Sequence, residues 1–172
     1  MIFTVGHSTR PLQECLELLA VHGIEQLVDV RTIPRSRRHP QYNTGALAES
    51  LQQAYIRYRH LPGLGGLRHP RKDSINSAWR NDSFRGYADY MQTPPFEASL
   101  LELIQASNLH RTVIMCAEAV PWRCHRSLIA DALLARGLAV ADILSTKPAQ
   151  PHALTSFARI DGGKVTYPGL LP

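Results

Sequence analysis

Cysteine is scarce in this chain: Cys15, Cys116 and Cys124 are the only three in 172 residues. An odd number at irregular spacing excludes the disulfide framework of a small secreted domain and agrees with a reducing compartment. No Cys-x-x-Cys pair occurs, so neither a zinc knuckle nor a dithiol redox motif is written into the sequence. No apolar run approaches the roughly 18 to 20 residues that span a bilayer, so no membrane association is expected. The opening Met1-Ile-Phe-Thr-Val-Gly-His7 lacks a basic segment and a cleavage signal and reads directly as a strand, which makes the cytoplasm the expected location. Repeats, linkers, a P-loop and a dinucleotide fingerprint are also missing, so no cofactor is expected. Lysine is rare as well: sixteen of the nineteen basic residues are arginine, the side chain better shaped for holding phosphate or carboxylate through two hydrogen bonds.

What is present is unevenly distributed. Residues 31–85 hold eleven basic side chains against Glu49, Asp73 and Asp82, a local charge of +8 within a chain whose net charge is +5. Either this is solvated surface, or it is a footprint for an anionic partner. Tyr42, Tyr55, Tyr58, Trp79, Phe84, Tyr87 and Tyr90 interleave with it, as a surface for single-stranded nucleic acid would require. Aromatic residues at these positions serve equally well as core.

Strand and helix patterns alternate along the chain. Residues 2–5 form an apolar run closed by Gly6-His7-Ser8, and a helix follows from Pro11 with Leu12, Cys15, Leu16 and Leu19 on one face. Strand patterns recur at 27–31, 55–61, 112–116 and 139–144. Helical spacing recurs at 44–54, 83–91, 95–106 and 124–136, and a hairpin is predicted around Asp161-Gly-Gly. Residues 32–43 and the stretch up to about residue 82 lack periodicity and read as loops, uncommonly long ones for a compact domain. The expected architecture is a single α/β domain, a mostly parallel sheet flanked by helices in a Rossmann-like three-layer arrangement, with a tail from residue 146. In such sheets ligands bind beyond the carboxyl ends of the strands. Three strands end there in polar groups: Gly6-His7-Ser8, Asp29-Val30-Arg31 and Cys116-Ala117-Glu118. If those strands are neighbours, they share one site.

The segment from Cys116 to Arg126 concentrates the chemistry. Cys116 and Glu118 close a buried strand, and Cys124-His125-Arg126 opens the next helix, where free amide groups and the helix dipole attract anions. Arg123 and Arg126 would add full charges. The same field would lower the pKa of a thiol, making Cys116 or Cys124 a candidate nucleophile, with Glu118 or His7 moving a proton. Ser8, Asp29, Arg31 and His125 are candidate ligand contacts. The alternatives are a core role for Cys116 and simple ion pairing for Glu118. A phosphatase loop would need arginine six residues after the cysteine, where this chain has Trp122. The ligand types Cys116, Cys124, His125 and His7 do not have metal-site spacing, and no metal is expected. Pro62 with Leu64-Gly65-Gly66 could bring backbone close to a phosphate.

The motif series Gly6-His7-Ser8, Leu27-Val28-Asp29-Val30-Arg31 with Pro34-Arg35-Ser36, Leu61-Pro62 with Leu64-Gly65-Gly66, Phe84 to Met91, and Cys116-Ala117-Glu118 with Cys124-His125-Arg126 resembles the bacterial family called domain of unknown function 488, related to the YeaO proteins. The resemblance spans about residues 2–145. It implies a compact α/β domain with a polar cluster at His7, Asp29, Arg31, Cys116, Glu118, Cys124, His125 and Arg126, but no settled activity. Members usually carry His-Ile on the last strand where this chain has Asp142-Ile143, so any general-base or metal role for that position is in doubt.

Three readings of function follow. The first is a small hydrolase or transferase acting on an anionic, phosphate-bearing substrate such as a nucleotide or nucleic acid. The second is a nucleic-acid or nucleotide-binding module without catalysis, and the third a thiol redox or metal-binding protein. Oligomeric state is not legible.

Overall fold

Apolar runs of four or five residues alternate with longer segments of helical periodicity, and each finds its partner layer. In the computed structural model, which describes residues 1–170, the elements run β1 (Ile2–Gly6), α1 (Leu12–Val21), β2 (Gln26–Asp29), α2 (Thr44–Gln53), β3 (Arg57–His60), α3 (Asp82–Tyr90), α4 (Pro94–Leu109), β4 (Thr112–Cys116), α5 (Arg126–Ala135) and β5 (Val140–Asp142), followed by the short strands β6 (Gln150–Pro151), β7 (Arg159–Asp161) and β8 (Lys164–Thr166). The main sheet has the order β3-β2-β4-β1-β5-β6, parallel except for β6. The predicted α/β architecture is therefore present.

The topology explains the layers. From β1 the chain moves through β2 to β3 at one edge, then returns to β4 and crosses β1 to reach β5. Right-handed crossovers put helices on opposite faces when the direction of travel reverses. Accordingly Cys15 and Leu19 of α1 and Leu47 and Leu51 of α2 pack with Phe3, Val5, Val113 and Met115, whereas Tyr87, Phe96, Leu100, Leu128 and Leu133 pack with Ile2, Val28, Ile114 and Cys116 on the other face. Side chains alternate along β4, so Met115 and Cys116 serve different layers. The β1–α1 and β4–α5 connections leave adjacent strands toward opposite faces, and a crevice opens between them.

Several sequence expectations are corrected in detail. The second strand ends at Asp29, and the third covers only residues 57–60. Helix α5 begins at Arg126, because Pro121–Arg123 forms a separate 3-10 turn and Cys124 is extended (φ −134°, ψ 145°). The aperiodic stretch before α3 is anchored by Asp89, whose carboxylate accepts from the Arg71 amide (2.8 Å), Ser74 Oγ (2.6 Å) and the buried Asn76 Nδ2 (2.8 Å). The tail also carries more structure than its composition signals. Gln150–Pro151 extends the sheet, and the predicted hairpin turns at Gly162 and Gly163, both at positive φ.

The tail covers the outer side of α5, so even its polar Asp131 is fully buried. Asp131 accepts from Tyr167 Oη (2.8 Å) and the Thr155 amide (3.2 Å) and pairs with His152 Nε2 at 3.2 Å. His152 Nδ1 lies 3.0 Å from Asp142 Oδ2. Burial disfavours the imidazolium, but the bonds and charges of the two carboxylates outweigh it and raise the His152 pKa to about 9. A folded-state pKa above the unfolded value makes this stabilisation complete below about pH 6.5 and lost as pH rises through about 9. A gap of this size corresponds to about 3 kcal/mol. Urea unfolding of the wild type and His152→Gln should therefore show a large stability difference at pH 7 that shrinks markedly by pH 10; a pH-independent difference would refute the charge assignment.

Candidate active site

Strands β2, β4 and β1 are consecutive in the sheet, with Gly6 in register with Cys116 and Asp29 with Met115. The three polar strand ends therefore meet. β1 and β4 remain paired past their ends through His7 N to Cys116 O (3.0 Å) and Ser8 N to Ala117 O (2.9 Å). Ser8 has φ 50°, a left-handed conformation unusual for a residue with a side chain. Above these ends lies a cleft of about 630 Å³ lined by His7, Ser8, Arg31, Cys116, Glu118, Cys124 and His125, together with Arg35 and His39 from the loop after β2.

Asp29 is fully buried beneath the cleft and does not line it. It grips Arg31 through Nε to Oδ1 (2.9 Å) and Nη2 to Oδ2 (2.7 Å), while Tyr58 Oη donates to Oδ2 (2.8 Å). Nη2 of Arg31 also donates to Tyr42 O (2.7 Å), which leaves Nη1 facing His7 Nε2 at 3.4 Å. Alternation puts Asp29 and Arg31 on one side of the chain, where the two pair and Arg31 still reaches the cleft.

His7 stacks on Tyr42 with ring centroids 4.1 Å apart, and Nδ1 lies 2.8 Å from Ser8 O. This assigns the proton to Nδ1. Burial lowers its pKa to about 4 with help from Arg31, despite the Ser8 carbonyl and Asp29, so the ring is neutral at pH 7. His125 is similar: Nε2 lies 2.9 Å from Val30 O, and burial brings its pKa to about 4. Neither imidazole supplies a cation.

Arg126 is the least accessible large side chain of the segment, fully buried at the first position of α5. Its Nη1 contacts Cys116 Sγ at 2.7 Å and donates to Glu118 O at 2.5 Å; Nη2 donates to Ala119 O (3.1 Å) and Nε to Thr4 Oγ1 (3.3 Å). Among the described residues no carboxylate lies within ion-pair distance of it. A cation at a helix N-terminus also faces an adverse dipole. The nearest group able to carry negative charge is the Cys116 thiol. Burial opposes the thiolate, but the Cys124 thiol and Arg126 together lower the Cys116 pKa to about 7, while Cys124 is pushed upward. Cys124 Sγ also lies 3.5 Å from His125 Nδ1 and from the Arg126 amide.

The first amides of α5 thus point at their own chain: Ser127 N donates to Cys124 O and Leu128 N to His125 O. The helix start expected from sequence to be open to an anion is internally satisfied. Arg126 does not line the cleft, and Arg123 is exposed outside it. Glu118 presents an exposed side chain to the cleft while its carbonyl holds Arg126. Asp142 lies elsewhere, accepting from Thr4 Oγ1 (2.5 Å) and facing a second cleft. The Gly65-Gly66 turn brings loops together: a Cβ on Gly65 would lie 2.8 Å from Thr32 Cα, and one on Gly66 3.2 Å from His125 Nδ1.

The interleaved aromatics do not form a stacking platform. Tyr42 and Tyr87 are core, Arg68 covers Tyr90, and Trp79 packs with Phe84, Phe157 and Tyr167. Tyr55 is 95% exposed, but it precedes β3, at the end of the parallel strands away from the cleft. Sequence reasoning missed Arg35, Ser36 and His39 as cleft residues. Their signal was available, since a Pro-, Arg- and Ser-rich loop leaves the ligand-binding end of β2. Among the described residues no three His, Cys, Asp or Glu side chains are grouped to hold a metal ion.

Among the described residues no helix is long and apolar enough to cross a membrane. No curated protein and no solved structure matches the chain. One family model does, over residues 11–133, a span that includes Arg31 and the whole segment from Cys116 to Arg126 but stops short of His7, Ser8 and Asp142. The match covers more than half of the 172 residues, and the chain belongs to the family described as domain of unknown function DUF488.

Proposed function

We propose that the protein is a small hydrolase or transferase that holds the phosphate of a nucleotide or nucleic acid in this cleft and acts on it through Cys116. The supporting observation is that one cleft contains both a pre-oriented guanidinium, Arg31, and a thiol whose pKa is lowered to about 7 beside Arg126. Arg31 is held by Asp29 and so loses little freedom when an anion docks on Nη1. Arg35, with no carboxylate partner among the described residues, adds uncompensated charge at the rim. In a hydrolytic cycle the Cys116 thiolate displaces the leaving group from phosphorus. Glu118 then takes a proton from the water that releases the phosphate and restores the thiolate. His7, neutral and with both nitrogens engaged, orients Arg31 in this reading rather than moving protons.

Inorganic phosphate binding and turnover of aryl phosphate mono- and diesters test this together. Cys116→Ser and Glu118→Gln should each reduce turnover by about 100-fold or more while phosphate affinity changes less than about threefold. Arg31→Met should weaken phosphate binding by about tenfold or more. A wild type that neither binds phosphate nor turns over either ester would end the proposal. A non-catalytic reading draws on exposed Arg37 and Arg38 beside Arg35. It predicts oligonucleotide binding that falls steeply with salt and is indifferent to Cys116→Ser.

A further inference from the structure

We propose that the second cleft is a base-binding subsite, in which Trp122 stacks on a nucleobase of a single-stranded nucleic acid whose phosphate sits on Arg31 in the first cleft. The inference rests on the phosphate site proposed above, and it narrows the substrate from a nucleotide or a nucleic acid to a single strand.

Placement comes first. Cys116 pairs with Gly6 in the β4–β1 register and Asp142 with Thr4 in the β5–β1 register, so Leu144, two residues on, leaves β5 level with Gly6. Arg10 ties these ends together, donating to Gly6 O and to Leu144 O (3.2 Å). Asp142 and Leu144 line the second cleft as Cys116 lines the first. Both clefts therefore lie at the carboxyl edge of the parallel strands, where ligands bind in such sheets. Cys116 and Leu144 are two strand spacings apart, about 10 Å. The β4–α5 loop is the ridge between the clefts: Glu118 and Ala119 line the first, Pro121 and Trp122 the second. Stacked nucleotides of one strand advance about 3.4 Å each, so about four of them reach across the ridge.

The chemistry of the second cleft suits a base. It encloses about 440 Å³, and Trp79, Pro121, Leu144 and Pro151 join Trp122 in its walls. Trp122 is 65% exposed, and no other ring among the described residues packs on it. An open indole serves any base as a platform, since every base has a π face. The neighbouring Arg123 is also exposed, with no carboxylate partner among the described residues, and supplies charge for a connecting phosphate. Asp142 is the one carboxylate lining this cleft. It is engaged by Thr4 Oγ1 (2.5 Å) and His152 Nδ1 (3.0 Å), so it does not confront the strand as a free anion. Gln150, exposed and lining the cleft, has both a donor and an acceptor for a base edge. Aromatic and proline walls would also receive a proline-rich peptide, but such a peptide has no use for Arg31, Arg35 and Arg123 along the same path.

The test compares two ligands of equal charge. Calorimetric titration of the full-length protein measures its affinity for a deoxyadenosine tetranucleotide and for the same sugar-phosphate chain without bases. Removing the bases should weaken binding at least about fivefold. Trp122→Ala should lower tetranucleotide affinity by a similar factor while leaving the base-free chain and inorganic phosphate unchanged, and Trp122→Phe should recover part of the loss. The chain has two tryptophans, so quenching of indole emission by the tetranucleotide should persist in Trp79→Phe and vanish in Trp122→Phe. Equal affinity for the two chains, no binding of either, or wild-type tetranucleotide affinity in Trp122→Ala would each overturn the proposal. So would Trp122-dependent binding of a decaproline peptide in place of the tetranucleotide. Because the base-free comparison is made on the wild type, a poorly folding variant leaves the test intact. Base-dependent strand binding without ester turnover would sink the catalytic function alone, whereas phosphate binding and turnover without any contribution from the bases would sink this subsite alone.

Discussion

Replacing Arg126 with methionine is expected to lower stability by about 3 to 5 kcal/mol, because four acceptors, two of them on buried residues, lose a fully buried donor at once. Methionine keeps much of the apolar stem's length, so cavity formation is a minor contributor and the loss is chiefly electrostatic and hydrogen-bonding in origin. The affected groups are Cys116 Sγ, the carbonyls of Glu118 and Ala119, and Thr4 Oγ1. The same substitution removes the cation that favours the thiolate, so the Cys116 pKa should rise from about 7 toward the ordinary thiol range. Denaturant unfolding reads the first effect, and the pH profile of iodoacetamide alkylation reads the second. Arg126→Lys places one charge where a planar fork spans two carbonyls and a sulfur, and should recover only part of each. A methionine variant as stable as wild type, with an unchanged alkylation profile, would show that Arg126 neither braces the 117–119 loop nor sets the thiol.

Gly6→Ala should be about as damaging, at roughly 3 kcal/mol or more, despite adding a single methyl group. Gly6 is the last residue of β1 and pairs with Cys116. A Cβ there would fall on the Glu118 carbonyl oxygen and lie 2.8 Å from Arg126 Nη1. The obstacle is backbone plus a fully buried side chain, so no flexible group can move aside. Either the 117–119 loop shifts, losing the Ser8-to-Ala117 bond and the Arg126 contacts, or β1 loses its pairing with β4. Thermal unfolding should show the loss, and phosphate binding should fall with it, since the cleft wall is the segment displaced. A variant with wild-type Tm and phosphate affinity would mean that the loop is not packed against β1 as described.

The two predictions turn on the same contact, in which β1, the β4–α5 loop and α5 meet at a glycine and a buried guanidinium. It also links the clefts. From Cys116 the polar chain runs through Arg126, Thr4 and Asp142 to His152 and Asp131. The Asp142 position, where the sequence resemblance put any general-base or metal role in doubt, anchors the tail's His152 and lies in the second cleft.

Much of this protein was legible from the order of its residues. Period-two and period-3.6 patterns are local properties, so the alternation of strands and helices, the three-layer class and the hairpin at Asp161-Gly-Gly follow from short windows of sequence. The rule that ligands bind beyond parallel strand ends then selects His7, Arg31, Cys116 and Glu118 before any coordinate is known. Tertiary structure decided the rest, because it depends on contacts between residues far apart in the chain. Strand order made the three polar ends neighbours. An inward turn at the first residue of α5 made Arg126 an internal brace beside a thiol, although its position in sequence marked it as an anion contact. The same long-range geometry filled the helix start with the chain's own acceptors, brought Arg35 and His39 over the cleft, and delivered His152 to Asp131 and Asp142. Sequence alone named the segment from Cys116 to Arg126, but which of its groups face the cleft and which hold the fold was decided by packing.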